Sequence, residues 1–258
     1  MGIAAKVWLV AALTAGLVGA AYAGEVMDGV RARGILRVGT TGDYKPFSFR
    51  NPDGSYVGAD IDMARRYAAH LGVEASFVPT VWGRLNQDFA AGKFDIAVGG
   101  VTNLPPRAAI APFSITTYVD GKRPIARCAD RDRFVSIDAI DSPNVRVVVN
   151  PGASNEDFAH KSFPHATLVV HPDNATVFDE IVAGREDVMV TDGIEVDHQA
   201  FLHPELCATR VSAPFTRLEK AFWLQNDPDL VRDVDGWLGQ EIKSGAWQRT
   251  LDAALKEP

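Results

Sequence analysis

The chain has 258 residues, 47% of them hydrophobic and 23% charged, which is the make-up of a globular protein rather than a disordered one. Lysine and arginine number 26 against 33 aspartate and glutamate, a formal charge of −7 at neutral pH. That sign excludes a surface built to hold the phosphates of nucleic acid.

The first 23 residues differ from the rest. Lys6 is their only charge, Val7 to Ala21 form a mainly apolar run, and Ala21-Tyr22-Ala23 has the small-x-small form of a signal-peptidase site. The run is short for a membrane span, which needs about 20 apolar residues. It is expected to be a leader removed on export to the periplasm, leaving residues 24–258 with no membrane insertion after cleavage; an uncleaved anchor is the alternative. Two cysteines follow, Cys128 and Cys207. In an oxidising compartment an even pair is most simply one disulfide, with two free buried thiols as the other option.

Beyond residue 34, short β-rich runs alternate with amphipathic helices, the pattern of an α/β fold. Residues 35–40 read as a strand, and 47–49 with 56–57 read as a hairpin around Asn51-Pro52-Asp53-Gly54. A helix is expected over 60–71, with Ile61, Ala64, Tyr67, Ala68 and Leu71 on one face and Gly72 closing it. Strand 73–78, helix 83–91 and strand 94–98 complete a first unit. Residues 112–128 are extended, without a helical period. A second unit runs through strand 145–149, a helix from Ser154, strand 167–170, helix 175–183, strand 187–191 and helix 193–202. A second extended stretch, 218–225, precedes two C-terminal helices, the first opening at Asp227-Pro228.

Two such units joined by two extended crossings predict a two-lobed α/β protein around a central cleft. Lobe one would be 24–122 plus 219–258, and lobe two 123–218. Ligands of open α/β units sit beyond the carboxyl ends of the strands. That rule points to the turns at 41–44, 99–107, 150–154 and 191–195. The six histidines form no ligand cluster, and no Gly-x-Gly-x-x-Gly, P-loop, Gly-x-Ser-x-Gly or His-Glu-x-x-His occurs, so neither a metal nor a nucleotide cofactor is expected.

The same turns carry a family likeness. Thr41-Gly42-Asp43-Tyr44-Lys45-Pro46-Phe47, Gly58-Ala59-Asp60-Ile61-Asp62, Phe94-Asp95-Ile96-Ala97, Pro106-Arg107 and Pro112-Phe113-Ser114 resemble periplasmic solute-binding proteins for polar amino acids, along essentially the whole mature chain. Thr40 to Phe47, Asn150-Pro151-Gly152 and His171-Pro172-Asp173-Asn174 look more narrowly like the cyclohexadienyl dehydratases, exported lyases acting on prephenate and arogenate. The resemblance implies a type II periplasmic-binding-protein fold with two crossover strands, no cofactor, and a homo-oligomer such as a trimer. It makes Arg107 the grip on a ligand carboxylate and Glu195 the general acid, supported by Trp82, Lys122 and Asn150. It places Asp43, Tyr44, Thr102, Ser154 and Asp192 in ligand-contacting turns. Binding proteins usually carry Gly-Thr-Thr where this chain has Gly152-Ala153-Ser154. The rival reading is a polar amino-acid receptor of an ABC transporter.

Each candidate also has a physical reading and a plainer one. A planar guanidinium at Arg107 can hold a carboxylate through two parallel hydrogen bonds, or it can be a solvated surface charge. Lys122 supplies a second cation for a dianionic ligand, or a charge in a wet hinge. Trp82, opening a helix, is a cleft wall or a core residue. Asn150 bonds the ligand or merely turns the chain before Pro151. Asp192 meets an ammonium group or only caps a helix. Glu195 is the decisive residue: with Asp192 ahead of it the spacing is close to a capping box, which would keep the carboxyl ionised. Donating a proton near neutral pH requires desolvation strong enough to overcome the helix dipole.

Overall fold

The computed structural model describes residues 24–257 apart from Ala153, and the expected leader and its cleavage site lie outside them. The fold is the expected two-lobed α/β architecture, with one main sheet in each lobe and a small three-stranded sheet of Asp43–Tyr44, Ser48–Arg50 and Tyr56–Val57 in the first. The first sheet has the order Trp223–Leu224, Ile96–Ala97, Ile35–Thr40, Glu74–Pro79. Its last three strands are parallel and Trp223–Leu224 runs antiparallel to Ile96–Ala97. Leu36 and Val38 alternate into the core beneath helix Ala59–His70, whose Ile61, Met63, Ala64, Tyr67 and Ala68 are all buried.

The second sheet has the order Thr167–Val170, Arg146–Val149, Val188–Asp192, Lys122–Arg127, Leu206–Ala208. Both its faces are covered, and strand periodicity divides the core between them. Val147, Val149, Val188 and Val190 pack with Phe134 and Phe163 on one side, while Val148 and Met189 pack with Phe178 and Ile181 on the other. The two extended stretches meet as an antiparallel pair, Tyr118–Asp120 beside Leu218–Lys220. Residues 122–127, expected only as part of a crossing, continue into the second sheet and pair antiparallel with Val188–Asp192.

The N-terminal helix Glu25–Arg33 carries no clear apolar stripe and is not predicted. It is held instead by a distant residue: Asp227 caps helix Pro228–Lys243 through the amides of Asp229 and Leu230, and its other oxygen accepts from the amides of Val26 and Met27. Cys128 and Cys207 form a disulfide with Cα atoms 4.8 Å apart, joining the end of strand Lys122–Arg127 to strand Leu206–Ala208. Among the described residues no helix is long and apolar enough to cross a membrane.

The lobes meet closely over the cleft. Gly152, at φ +72°, lies against Gly83 of helix Trp82–Ala90, and a Cβ on Gly152 would sit 2.3 Å from the Gly83 Cα. Any side chain at this position would hold the lobes apart.

Candidate active site

A small cavity lies between the lobes at the carboxyl ends of the strands. Tyr44, Trp82, Thr102 and Arg107 line it from the first lobe; Asn150, Ser154, Asp192 and Glu195 line it from the second. The structure thus gathers residues up to 151 positions apart in sequence. Two of the expected residues stand behind the wall. Asp43 accepts a hydrogen bond from the Trp82 indole Nε1 at 3.0 Å, fixing the ring that faces the cavity. Lys122 touches the site through its partners.

Arg107 is 5% exposed, in the short helix Pro105–Ala108. Its Nε donates to Asn86 Oδ1 at 3.2 Å and one Nη to the Thr102 carbonyl at 3.1 Å. Its guanidinium lies 5.9 Å from the Trp82 ring centroid. No carboxylate of the described residues pairs with it, and burial lowers its pKa to about 10, so it stays cationic at neutral pH. A buried guanidinium with donors to spare is poised for an anion.

Asp192, Lys122 and Lys220 form a buried triad. Asp192 Oδ1 accepts from Lys122 Nζ at 2.8 Å; Oδ2 accepts from Lys220 Nζ at 2.7 Å and from the Tyr44 hydroxyl at 2.6 Å. Both lysines are 1% exposed. Burial acts to raise the Asp192 pKa, but the two ammonium groups overcome it and hold the carboxylate well below its usual range. Asp192 precedes helix Gly193–Leu202 without a side-chain capping bond, so the capping box allowed by the spacing is not made. Lys122 spends its three N–H donors on Asp192, Ser154 Oγ and Asn155 Oδ1.

Glu195 sits on the first turn of that helix, 2% exposed. Burial raises its pKa to about 8; the nearby Asp192 charge adds to this, while the Thr191 hydrogen bond and the two lysines oppose it. Desolvation therefore overcomes the helix terminus, and the carboxyl is mainly protonated at neutral pH. Thr191 Oγ1 donates to Glu195 Oε2 and accepts from Asn155 Nδ2 at 3.0 Å. Asn155 Nδ2 also donates to Asn150 Oδ1 at 3.2 Å.

Four residues here were not singled out from the sequence: Lys220, Asn155, Thr191 and Asn174. Asn174 lines the cavity and donates to the Asp43 carbonyl at 2.9 Å. It lies within the quoted His171-Pro172-Asp173-Asn174 motif, and Asn155 and Thr191 adjoin named residues. Lys220 had a weaker signal, a lysine directly before the apolar run Ala221-Phe222-Trp223-Leu224. Among the described residues no group of three or more His, Cys, Asp or Glu could hold a metal ion.

Comparison with known proteins agrees with this geometry. The family described as bacterial extracellular solute-binding proteins, family 3, matches residues 36–256. The cyclohexadienyl dehydratase of Pseudomonas aeruginosa is 46% identical over 230 residues, 89% of this chain and 86% of that one. The L-cystine-binding protein TcyJ of Escherichia coli is 27% identical over 240 residues, covering 92% and 89%. Among solved structures, the ancestral amino acid-binding protein AncCDT-1, a precursor of cyclohexadienyl dehydratase, matches with a TM-score of 0.82 at 35% identity, over 89% of this chain and 99% of that one. The chain belongs to family 3 of the bacterial extracellular solute-binding proteins, with their two-lobed fold and a cleft for a small molecule.

Proposed function

We propose that the protein is a cyclohexadienyl dehydratase, a lyase converting prephenate to phenylpyruvate and arogenate to phenylalanine with loss of water and CO2. The observation that carries this reading is Glu195: a carboxyl kept protonated by burial, opening on the same cavity as the unpaired Arg107. A receptor that only holds an amino acid has no use for a neutral acid of that kind, whereas an elimination does. The 46% identity to the Pseudomonas aeruginosa enzyme supports the same choice over the 27% identity to a cystine-binding protein.

In this reading Arg107 anchors the side-chain carboxylate through paired hydrogen bonds. Glu195 gives its proton to the ring hydroxyl, the C–O bond breaks, and water leaves. The bond from the ring to its own carboxylate then supplies the electron pair that completes the aromatic ring, and CO2 departs. Solvent returns a proton to Glu195. One proton is consumed as the prephenate dianion becomes the phenylpyruvate anion. Aromatisation drives the reaction, so the protein need only clamp, protonate and exclude bulk water. Trp82, held by Asp43, walls the ring, and Asn150 offers a donor to the substrate. Asp192, already saturated by Lys122, Lys220 and Tyr44, stabilises the fold of the site, so prephenate and arogenate are gripped by the groups they share.

The working unit in this proposal is the exported chain from residue 24, with lobes 24–122 plus 219–258 and 123–218, acting in the periplasm. Incubating purified mature protein with prephenate and following phenylpyruvate absorbance tests it. No product, with tight binding of an amino acid by calorimetry, would replace the lyase by a transport receptor.

A further inference from the structure

The polar network behind the cavity has a direction. Lys122 carries three N–H donors and no acceptor. The Asn155 atom facing that amine must therefore be its carbonyl oxygen, which decides the orientation of the amide. Asn155 Nδ2 is left to donate, and it reaches Asn150 Oδ1 at 3.2 Å and Thr191 Oγ1 at 3.0 Å. Receiving that proton, the Thr191 hydroxyl has its own to give, and it points at Glu195 Oε2. In a neutral carboxyl the carbonyl oxygen is the better acceptor, so the bond from Thr191 marks Oε2 as that oxygen. Among the described residues Oε1 has no hydrogen-bond partner, and Glu195 lines the cavity.

We infer that Thr191 and Asn155 are positioning residues that decide which oxygen of Glu195 carries the proton. A one-way chain of hydrogen bonds anchored at Lys122 keeps it on Oε1, where substrate lies. Thr191 does not line the cavity; it acts through Glu195. The same orientation occupies Asn150 Oδ1 and turns the Asn150 amide N–H donors toward the cavity, where a substrate carboxylate or hydroxyl can accept them. A carboxyl without this bias would present its proton on either oxygen, and much of the bound enzyme would hold it away from the leaving group. The inference rests on the reading of Glu195 as the general acid.

The test needs a readout that a merely structural threonine would not move. At pH 6–7 the protonated Glu195 gives an infrared carbonyl band, assigned by its absence from Glu195→Gln. In Thr191→Val the band should move to higher wavenumber, since its oxygen has lost a donor. The alkaline limb of the pH–kcat profile should move to higher pH, because the lost bond had been lowering the Glu195 pKa. kcat should fall roughly tenfold, the worth of one ordinary hydrogen bond, with KM little changed. Thr191→Ser should restore all three. If the valine variant does not fold, Thr191→Cys, a weak donor, should give shifts of the same sign. An unchanged band and limb in a folded variant would overturn the inference. Absence of prephenate turnover by the parent protein would instead remove the lyase reading, while the infrared comparison would still test the relay.

Discussion

Glu195→Gln separates the chemistry of the site from its architecture. With a pKa of about 8, Glu195 is protonated by about ten to one at pH 7 and deprotonated by about ten to one at pH 9. A glutamate at its ordinary pKa of 4.5 would hold a proton in well under about 1% of molecules at pH 7. The amide keeps the shape but has no acidic proton, so kcat should fall by about 10²–10⁴-fold while substrate binding persists. The parent kcat should decline above about pH 8 along a one-proton limb that the variant lacks. Stability should move the other way. The folded chain holds this proton more tightly than the unfolded chain, so the contribution is full below pH 4.5 and is lost as pH rises through about 8. The displacement corresponds to about 5 kcal/mol, and the group is too buried for solvent to screen it. Since 1 kcal/mol moves Tm by about 2–4 °C at this size, Glu195→Gln should melt on the order of 10 °C higher at pH 8.5, with the gap closing toward pH 4. Calorimetric melts across pH, beside stopped prephenate assays, give both numbers. Parental turnover in the glutamine variant, or a melting gap independent of pH, would refute the reasoning.

Replacing Arg107 by lysine keeps the charge but removes the fork, so KM for prephenate should rise about tenfold or more with a smaller effect on kcat; an unchanged KM would move the carboxylate site elsewhere. Lys220→Met leaves Asp192 with only one of its two buried cations. It should cost about 3–5 kcal/mol in denaturant unfolding and raise the Glu195 pKa, since Lys220 acts to lower it. Reducing the Cys128–Cys207 bridge frees residues 79 apart in sequence, a loop-entropy contribution of about 4 kcal/mol. Melts with and without reductant should therefore differ by on the order of 10 °C. Gly152→Val should keep the lobes from meeting over the cleft, weakening ligand binding while each lobe's sheet remains intact, which small-angle scattering with and without ligand can follow.

Local pattern carried most of the elements. Strands 35–40 and 167–170 and helix 193–202 fall where apolar periodicity and flanking turn residues put them, because each element buries one face against its own lobe. Boundaries slipped by a residue or two elsewhere. The helix Glu25–Arg33 escaped notice because a carboxylate two hundred residues away holds its amides, which no local signal announces. Strand Leu206–Ala208 was likewise unread, being three residues long and made only by pairing with Lys122–Arg127.

The site divides the same way. Sequence alone pointed to the strand-end turns that the structure brings to the cavity, and motif likeness put Arg107, Trp82, Asn150 and Glu195 on one list. It could not say whether Glu195 would be a solvated helix-capping anion or a dry acid, because burial is a sum over both lobes. Nor could it find that Asp192 would be spent on Lys122 and Lys220, whose places lie 98 residues apart in the two crossings. Periodicity is a property of neighbours along the chain and reads directly from it; desolvation and hydrogen-bond direction depend on what the far lobe brings, and only the closed tertiary structure decides them.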